Sequence, residues 1–108
     1  MSLKTLLESS VSVPVKRPDY KGDAEQYVTY QMTGQTGTIY AESTEAETGT
    51  EFMVSLWSKT DHTELLHDVK WALLNARWRV RVESEYYDSE SGYYRVILET
   101  ACVGERYG

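Results

Sequence analysis

Hydrophobic and polar residues alternate with a period of two in three separate stretches of the second half of the chain. These stretches cover residues 50–58, 77–85 and 93–103, and such alternation is typical of half-buried strands. An Asp-Ser-Glu-Ser-Gly turn segment separates the last two stretches and predicts a hairpin. The alternation predicts that one side chain in two faces the core. These residues are Phe52, Val54 and Leu56, then Trp78, Val80 and Val82, and finally Tyr94, Val96 and Leu98.

The segment between the first two of these strands changes to helical spacing. Asp61 followed three residues later by Glu64 resembles a capping box, which marks the start of a helix. Apolar residues then recur within an arc of roughly 120°, wide enough to lie on a sheet. The pattern predicts one long helix from about Asp61 to Ala76. Its apolar stripe consists of Leu65, Leu66, Val69, Ala72, Leu73 and Ala76.

The N-terminal third is less regular. Residues 3–7 carry leucines at helical spacing and predict a short helix. Valines alternate around Pro14, and proline suits an extended arm or an edge strand better than a central strand. Two short strands are predicted over 27–31 and 38–43, around a turn at 33–37, followed by an acidic loop over 44–49.

Together these elements predict an α+β fold. The sheet has four to five strands, mainly antiparallel, with one long helix packed on one face and a short N-terminal helix. Residues 1–108 form a single domain, as expected for this length. Within it, residues 1–24 form the N-terminal helix and extended arm, 25–104 the α+β core, and 105–108 a tail.

Composition narrows the possible functions. The chain carries 17 acidic and 11 basic side chains, a formal net charge of −6, which argues against a general nucleic-acid binder. Its single cysteine, Cys102, falls in the last predicted strand and is expected to be a packed thiol. No hydrophobic run reaches membrane length and none resembles a secretion leader, so we expect no membrane contact and synthesis in a reducing cytoplasm.

No group of residues predicts catalysis, a metal site or a cofactor. His62 and His67 are five residues apart, which leaves their imidazoles about 140° apart on a helix, so they cannot share one ion. The carboxylates of residues 83–90 lie around the hairpin turn, where solvent keeps them ionised, whereas acid–base catalysis needs a buried carboxyl group. We therefore expect a protein that is not an enzyme.

A row of arginines is the first candidate contact surface. It consists of Arg77, Arg79 and Arg81 on one predicted strand and Arg95 on the next. Two explanations fit: a solvated face on which these arginines pair with Glu83, Glu99 and Glu51, or a contact with a partner. The nine tyrosines and three tryptophans of the chain favour an interface, where Tyr, Trp and Arg are enriched.

The outer face of the predicted helix is the second candidate. His67, Trp71 and Leu74 lie opposite the core stripe, where a solvated helix does not normally carry a tryptophan and a leucine. Two explanations fit here as well. Either the N-terminal helix covers these residues within the same chain, or a second chain does.

Several motifs together resemble a known family over nearly the whole chain. In the first half of the chain they are a Pro-Val arm at 14–15, a Tyr-Val-Thr-Tyr strand at 27–30 and an Ala-Glu-Ser segment at 41–43. In the second half they are a strand ending in Ser-Lys-Thr-Asp at 58–61 and a Glu-Tyr-Tyr-Asp hairpin at 85–88. In these features the chain resembles the tail completion proteins of long-tailed phages and prophages, also called tail terminator or head-to-tail joining proteins. It departs from the family at Ser55, where an Asp is expected, and at Ala76-Arg77-Trp78, which replaces a Gly-Phe helix exit.

The resemblance implies a structural virion protein, made in the bacterial host cytoplasm and located in the tail. Such proteins close the head-proximal end of the tail tube, usually as a hexameric ring, and bind the tail tube protein and the head-tail connector protein. Genomic DNA would pass through the ring without specific binding. The alternative from the residues alone is a small α+β ligand-binding or regulatory module, with aromatic side chains lining a pocket between helix and sheet.

Acidic segments would suit the lumen of such a ring, because a passage lined by Lys and Arg would hold phosphates. One candidate is the lumen-facing acidic loop with Glu42, Glu45, Glu47 and Glu51, and the other is the segment 83–90. The other explanation is that both segments are simply solvated loops.

Overall fold

The computed structural model of the chain describes residues 3–18, 20, 23–36 and 49–103. Two helices and five strands are found in this part of the chain. Their order is α1 (Leu3–Ser10), β1 (Val15–Lys16), β2 (Gln26–Thr36), β3 (Gly49–Ser58), α2 (Thr63–Asn75), β4 (Arg79–Asp88) and β5 (Tyr93–Val103). The predicted strand at 38–43 and the acidic loop up to residue 48 lie outside the described residues.

The five strands form one sheet in the order β1-β2-β3-β5-β4. β1 pairs with β2 in parallel, and every other neighbouring pair is antiparallel. This confirms the predicted mixed fold with a mainly antiparallel sheet. Both helices contribute to one hydrophobic core with one face of the sheet, which we call the helix face, and its central side chains are Val28, Val54, Leu56, Val96 and Leu98. The opposite side, with Thr29, Ser55, Trp57 and Arg95, is the open face.

The core contains the stripe that helical spacing predicted. Leu65, Val69 and Leu73 of α2 are buried against the sheet, and Leu3 and Leu7 of α1 join the same cluster. Burying a side chain of this size stabilises the fold by about 1.5–3 kcal/mol, so these leucines and valines dominate the packing between helices and sheet.

The predicted long helix is wrong at both ends, because α2 covers only the 13 residues Thr63–Asn75. At its start, the Asp61 carboxylate accepts hydrogen bonds from the backbone N–H and the hydroxyl of Thr63, so Asp61 lies before the helix. At its end, Arg77 adopts a positive φ of 67°, which no α-helix can continue.

The N-terminal third also differs from the prediction in its details. The arm around Pro14 forms a short edge strand, and Val15 is buried against β2. β2 continues to Thr36 through the turn predicted at 33–37. A bulge between Met32 and Gly34 absorbs the irregularity, so a glycine there does not end the strand.

β4 forms the other edge of the sheet and is less buried than alternation predicted. Trp78 is buried, but it precedes the strand and packs near Phe52, with ring centroids 5.9 Å apart. Val80 is half-buried and Val82 is 42% exposed. Alternation predicts correctly which face of the sheet these side chains lie on. It does not predict whether a helix covers them.

Candidate assembly surfaces

The outer face of α2 carries the first candidate surface. Trp71 is 60% exposed and Leu74 is 50% exposed, and the imidazole of His67 stacks on the indole of Trp71 with a centroid distance of 6.5 Å. α1 packs beside α2 through Leu6 and Leu7 and leaves these three side chains uncovered. The N-terminal helix therefore does not cover these side chains, although the sequence allowed that explanation.

A shallow groove separates the two helices next to this surface. Leu6 and Ser10 of α1 line one side, and Trp71 borders the other, together with Ala72 and Ala76. The groove joins the exposed indole to apolar side chains that are partly buried. This arrangement extends the apolar surface of α2 toward α1.

The predicted arginine row is divided by the structure. Arg79 and Arg81 lie in β4, whereas Arg77 belongs to the turn that ends α2. The Arg81 guanidinium forms ion pairs with Glu83 and with Glu99, the latter at 3.0 Å, and these carboxylates raise its pKa. For Arg81 the solvated, paired face is thus the arrangement found.

Arg95 has a different environment on the open face. Its guanidinium donates to the Ser55 hydroxyl at 3.0 and 3.2 Å and to the Tyr86 hydroxyl at 3.1 Å, and it lies 4.6 Å from the centre of the Trp57 ring. Ser55, at the position where the resembled family has an Asp, is only 2% exposed. Arg95 therefore covers Ser55 and forms part of a layer on the open face.

Aromatic side chains complete this layer, and sequence reasoning did not find it. Tyr27 stacks on Trp57 at 5.6 Å, and Tyr93 meets Tyr27 edge-on at 5.3 Å. The Tyr93 hydroxyl donates to the Ala24 carbonyl at 2.7 Å, and the Trp57 indole N–H donates to the Thr29 hydroxyl at 3.0 Å. Burial raises the pKa of Tyr27, and Tyr93 and Tyr20 raise it further. Much of the aromatic excess therefore packs within the chain.

The signal for this layer was present in the alternation itself. Tyr27, Trp57 and Tyr93 occupy the positions of their strands that alternate away from the main core. Bulky aromatic residues on the second face of three neighbouring strands indicate a second packed layer. The same finding bears on the ligand-binding alternative, because Phe52 and Trp78 pack in the core, whereas Tyr27, Trp57 and Tyr93 pack on the open face and do not line a pocket between helix and sheet.

The β4–β5 hairpin carries a further exposed aromatic group. Tyr86, Tyr87 and Tyr94 are 43%, 54% and 43% exposed, and the rings of Tyr87 and Tyr94 lie 5.0 Å apart. With Val82, they account for four of the seven large hydrophobic side chains that are exposed among the described residues. Exposed apolar surface is thus concentrated on the β4 edge and on the outer face of α2.

The structure describes one of the two predicted acidic segments in full and the other only in part. Glu51 is exposed in β3, and Glu42, Glu45 and Glu47 lie outside the described residues. The segment 83–90 is not a flexible loop, because it belongs to β4 up to Asp88. Three of its four carboxylates have partners: Glu83 pairs with Arg81, Glu85 with the His62 imidazole, and Asp88 with the backbone N–H of Glu90 and the Ser91 hydroxyl.

The described part of the chain contains neither a candidate metal site nor a candidate membrane-spanning helix. No group of three or more His, Cys, Asp and Glu side chains is arranged there to hold a metal ion. Neither described helix is long and apolar enough to cross a membrane.

Comparison with known proteins shows a similarity of fold to a solved structure. No protein-family model matches the sequence, and no curated protein matches it. Among solved structures, the chain is similar to a chain from the virion of a native gene transfer agent particle, with a TM-score of 0.53 and 15% sequence identity. The match covers 94% of this chain and 85% of that chain. At this level of identity the similarity shows a shared fold.

Proposed function

We propose that this chain is a structural protein of a phage-like virion. In this proposal it caps the head-proximal end of the tail tube and joins the tube to the head connector. Several copies, six in the usual arrangement, form a ring around the passage for DNA. The role is one of assembly, without a catalytic step or a cofactor.

The observation that carries this proposal is the fold shared with a chain of the gene transfer agent virion. The match extends over 94% of this chain, so it concerns nearly the whole fold and not a single element. The particular position in the tail rests on the tail completion motifs, above all the strand ending in Ser-Lys-Thr-Asp and the hairpin at 85–88.

The distribution of exposed apolar side chains supports an assembly role. Trp71 and Leu74 protrude from α2, and three tyrosines protrude from the β4–β5 hairpin. Tryptophan and tyrosine are the residues most often responsible for binding energy at protein interfaces. A chain of this size has little other reason to leave them in water, since exposed apolar patches promote association.

The charges of the described residues suit a passage for DNA. Arg81 is neutralised by Glu83 and Glu99, and Arg95 is held within the aromatic layer of the open face. Fewer free cationic side chains are then available on that face to bind phosphate, which limits retention of the DNA backbone. The acidic loop with Glu42, Glu45 and Glu47 is proposed to line the passage.

Deletion of the gene in the strain that produces the particle tests this function. We expect DNA-filled heads and separate tails, with tails of irregular length because nothing ends tube growth. Electron microscopy of the lysate measures both, and the wild-type gene supplied in trans should restore joined particles. Joined particles with tails of normal length in the deletion strain would refute the proposal.

A replacement of Glu42, Glu45 and Glu47 by lysine tests the lumen assignment separately. The change adds positive charge where DNA would pass, so ejection should slow and infectious or transducing titre should fall. Replacement of the same residues by glutamine is the matched control, since it removes negative charge without adding phosphate-binding groups. Unchanged titre in particles shown to carry the lysine variant would count against an acidic lumen.

A further inference from the structure

Both margins of the sheet have strand edges that no described strand occupies. No described strand pairs with the outer edge of β4, Arg79–Asp88. At the other margin β1 lies opposite only Val28 and Thr29 of β2, so no described strand lies along the outer edge of β2 beyond Tyr30. An unpaired edge presents backbone donors and acceptors that can pair with another strand.

The pairing registers place these two free edges at the same level of the sheet. Tyr30 is opposite Val54, Val54 is opposite Leu98, and Leu98 is opposite Val82, so Tyr30 and Val82 are the two ends of one row. In the same way, Met32 and Val80 end one row, and Gln31 and Arg81 end another.

We propose that β4 of one copy pairs with the free part of β2 in the next copy, so that the sheet continues from chain to chain. This inference deepens the proposed function and rests on it for the premise that several copies assemble. Three successive antiparallel steps separate β2 from β4, so the two strands run in opposite directions. Copies placed side by side in the same orientation therefore bring β4 and β2 together as an antiparallel pair.

The side chains at this contact are complementary. On the helix face, Val82 would lie opposite Tyr30, and Val80 opposite Met32. Val82 and Met32 are 42% and 49% exposed in the single chain, and pairing removes both from water. On the open face, Arg81 would lie opposite Gln31. Apolar residues thus meet apolar residues and polar residues meet polar residues.

The shapes of the two edges match at the same row. Beyond Tyr30, toward the start of β2, the edge steps outward by one strand because β1 begins there. On the other margin, the bulge between Val82 and Ser84 bends β4 at the level where that step occurs. β4 can follow the recessed edge of β2 up to Val82 and then turn away from β1 of the neighbour.

The contact uses two different surfaces, so it is heterologous. Each added copy leaves one free β4 edge and one free β2 edge, and only closure into a ring occupies all of them. The unpaired edges that would promote aggregation of a single chain are then used in the assembly.

Disulfide cross-linking in purified particles tests the contact. Within one chain, Tyr30 and Val82 are three strand steps apart, about 14 Å, so a bond between cysteines at these positions must join two copies. In particles carrying Tyr30→Cys together with Val82→Cys, mild oxidation should give a ladder of oligomers on a non-reducing gel. The ladder should collapse to single chains with reductant.

The controls separate this register from other contacts. Each single variant should stay monomeric on the gel, as should the wild type, whose Cys102 is buried. Particles made with a mixture of the two single variants should give dimers and no larger species. A second pair, Gln31→Cys with Arg81→Cys, tests the next row on the open face, at positions that leave the core intact, and should give the same ladder.

The outcomes distinguish the inference from the proposed function. If the chain is in the particles and neither double variant cross-links, the inference is overturned while the virion role stands. A dimer formed by Val82→Cys alone would also overturn it, because that bond requires two β4 strands to face each other. Absence of the wild-type chain from purified particles would overturn the proposed function, and the inference with it.

Discussion

The backbone N–H of Trp78 donates to the carbonyl oxygen of Leu73 at 2.9 Å and closes the C-terminal end of α2. The N–H of Arg77 donates to the carbonyl of Leu74 at 2.9 Å, and the two bonds together form a Schellman motif. Leu73 and Trp78 are both buried in the same core. This relationship fixes where the helix ends and where β4 can begin.

Arg77 occupies the position of this motif that glycine usually fills. Its φ of 67° is the only positive value of a non-glycine residue in the described part of the chain. A side chain in this conformation costs about 1–2 kcal/mol. Replacing Arg77 by glycine should therefore raise the free energy of unfolding, by about 0.5–1 kcal/mol after the greater chain entropy of glycine is subtracted.

Urea unfolding of the Arg77→Gly variant measures this gain. Arg77→Ala is the matched control, since it removes the guanidinium and keeps the Cβ atom, and it should give no such increase. A gain in the alanine variant equal to that in the glycine variant would assign the effect to the charge rather than to the backbone.

Leu73 should be among the most costly core positions. It is 0% exposed and packs between α2 and the sheet, so Leu73→Ala should lower the free energy of unfolding by about 2–5 kcal/mol. Leu74→Ala is the neighbouring control, because Leu74 is 50% exposed and should change stability by less than about 0.5 kcal/mol. Equal losses in urea melts would contradict this placement of the helix.

Asp61 should make stability depend on acid pH. Hydrogen bonds from the side chain and backbone of Thr63 lower its pKa below the ordinary 3.8, and the charge of His62 contributes in the same direction. A carboxylate with a lowered pKa stabilises the fold above the ordinary pKa, and this stabilisation is lost as pH falls through the folded-state pKa. Asp61→Asn should thus have a lower Tm than the wild type at neutral pH.

The difference in Tm between wild type and Asp61→Asn should shrink as the solution is acidified below pH 3.8. Thermal unfolding followed by circular dichroism at several pH values measures it. Asp68→Asn is a control within α2, where the Asp68 side chain is not hydrogen-bonded to an N–H at the start of the helix in the described part of the chain. A Tm difference that stays constant down to strongly acid pH would exclude titration of Asp61 as its cause.

The layer on the open face should contribute to stability through Arg95. Its hydrogen bonds to Ser55 and its position over Trp57 would both be lost in Arg95→Ala, for a cost of about 1–3 kcal/mol. Arg95→Lys keeps the charge but cannot reach Ser55 and Tyr86 with a planar fork, so it should restore only part of the loss. Equal stability of the alanine variant and the wild type would show that the layer is not needed for folding.

The sequence predicted the part of the fold that a single periodicity determines. Helical spacing placed Leu65, Val69 and Leu73 in the core, and alternation placed Val54, Leu56 and Val96 opposite them. The periodicity overestimated the length of α2. The hydrogen bonds from Thr63 to Asp61 and the left-handed turn at Arg77, which set its two ends, depend on local backbone geometry. A one-letter pattern does not show either of them.

The surfaces were less predictable, because they depend on which strands are neighbours. Alternation cannot tell that β5 lies between β3 and β4, and so it could not bring Arg95 onto Trp57 or leave Val82 at an uncovered edge. The outer face of α2 was visible in the sequence as a tryptophan and a leucine opposite the core stripe. Only the position of α1 shows that both are left exposed within the chain.

The exposed side chains of α2 provide the sharpest test of an interface. Trp71 is 60% exposed, so Trp71→Ser should change the free energy of unfolding of the single chain by less than about 0.5 kcal/mol. If the side chain is a main contact between chains, its loss should reduce incorporation into particles by about tenfold or more, since tryptophan at an interface centre contributes over about 1.4 kcal/mol. Quantitative blotting of purified particles against their major protein measures incorporation. Glu8→Ser on the exposed side of α1 is the control and should be incorporated normally. Trp71→Ser chains that fold and enter particles at the wild-type level would show that this face of α2 is not an assembly surface.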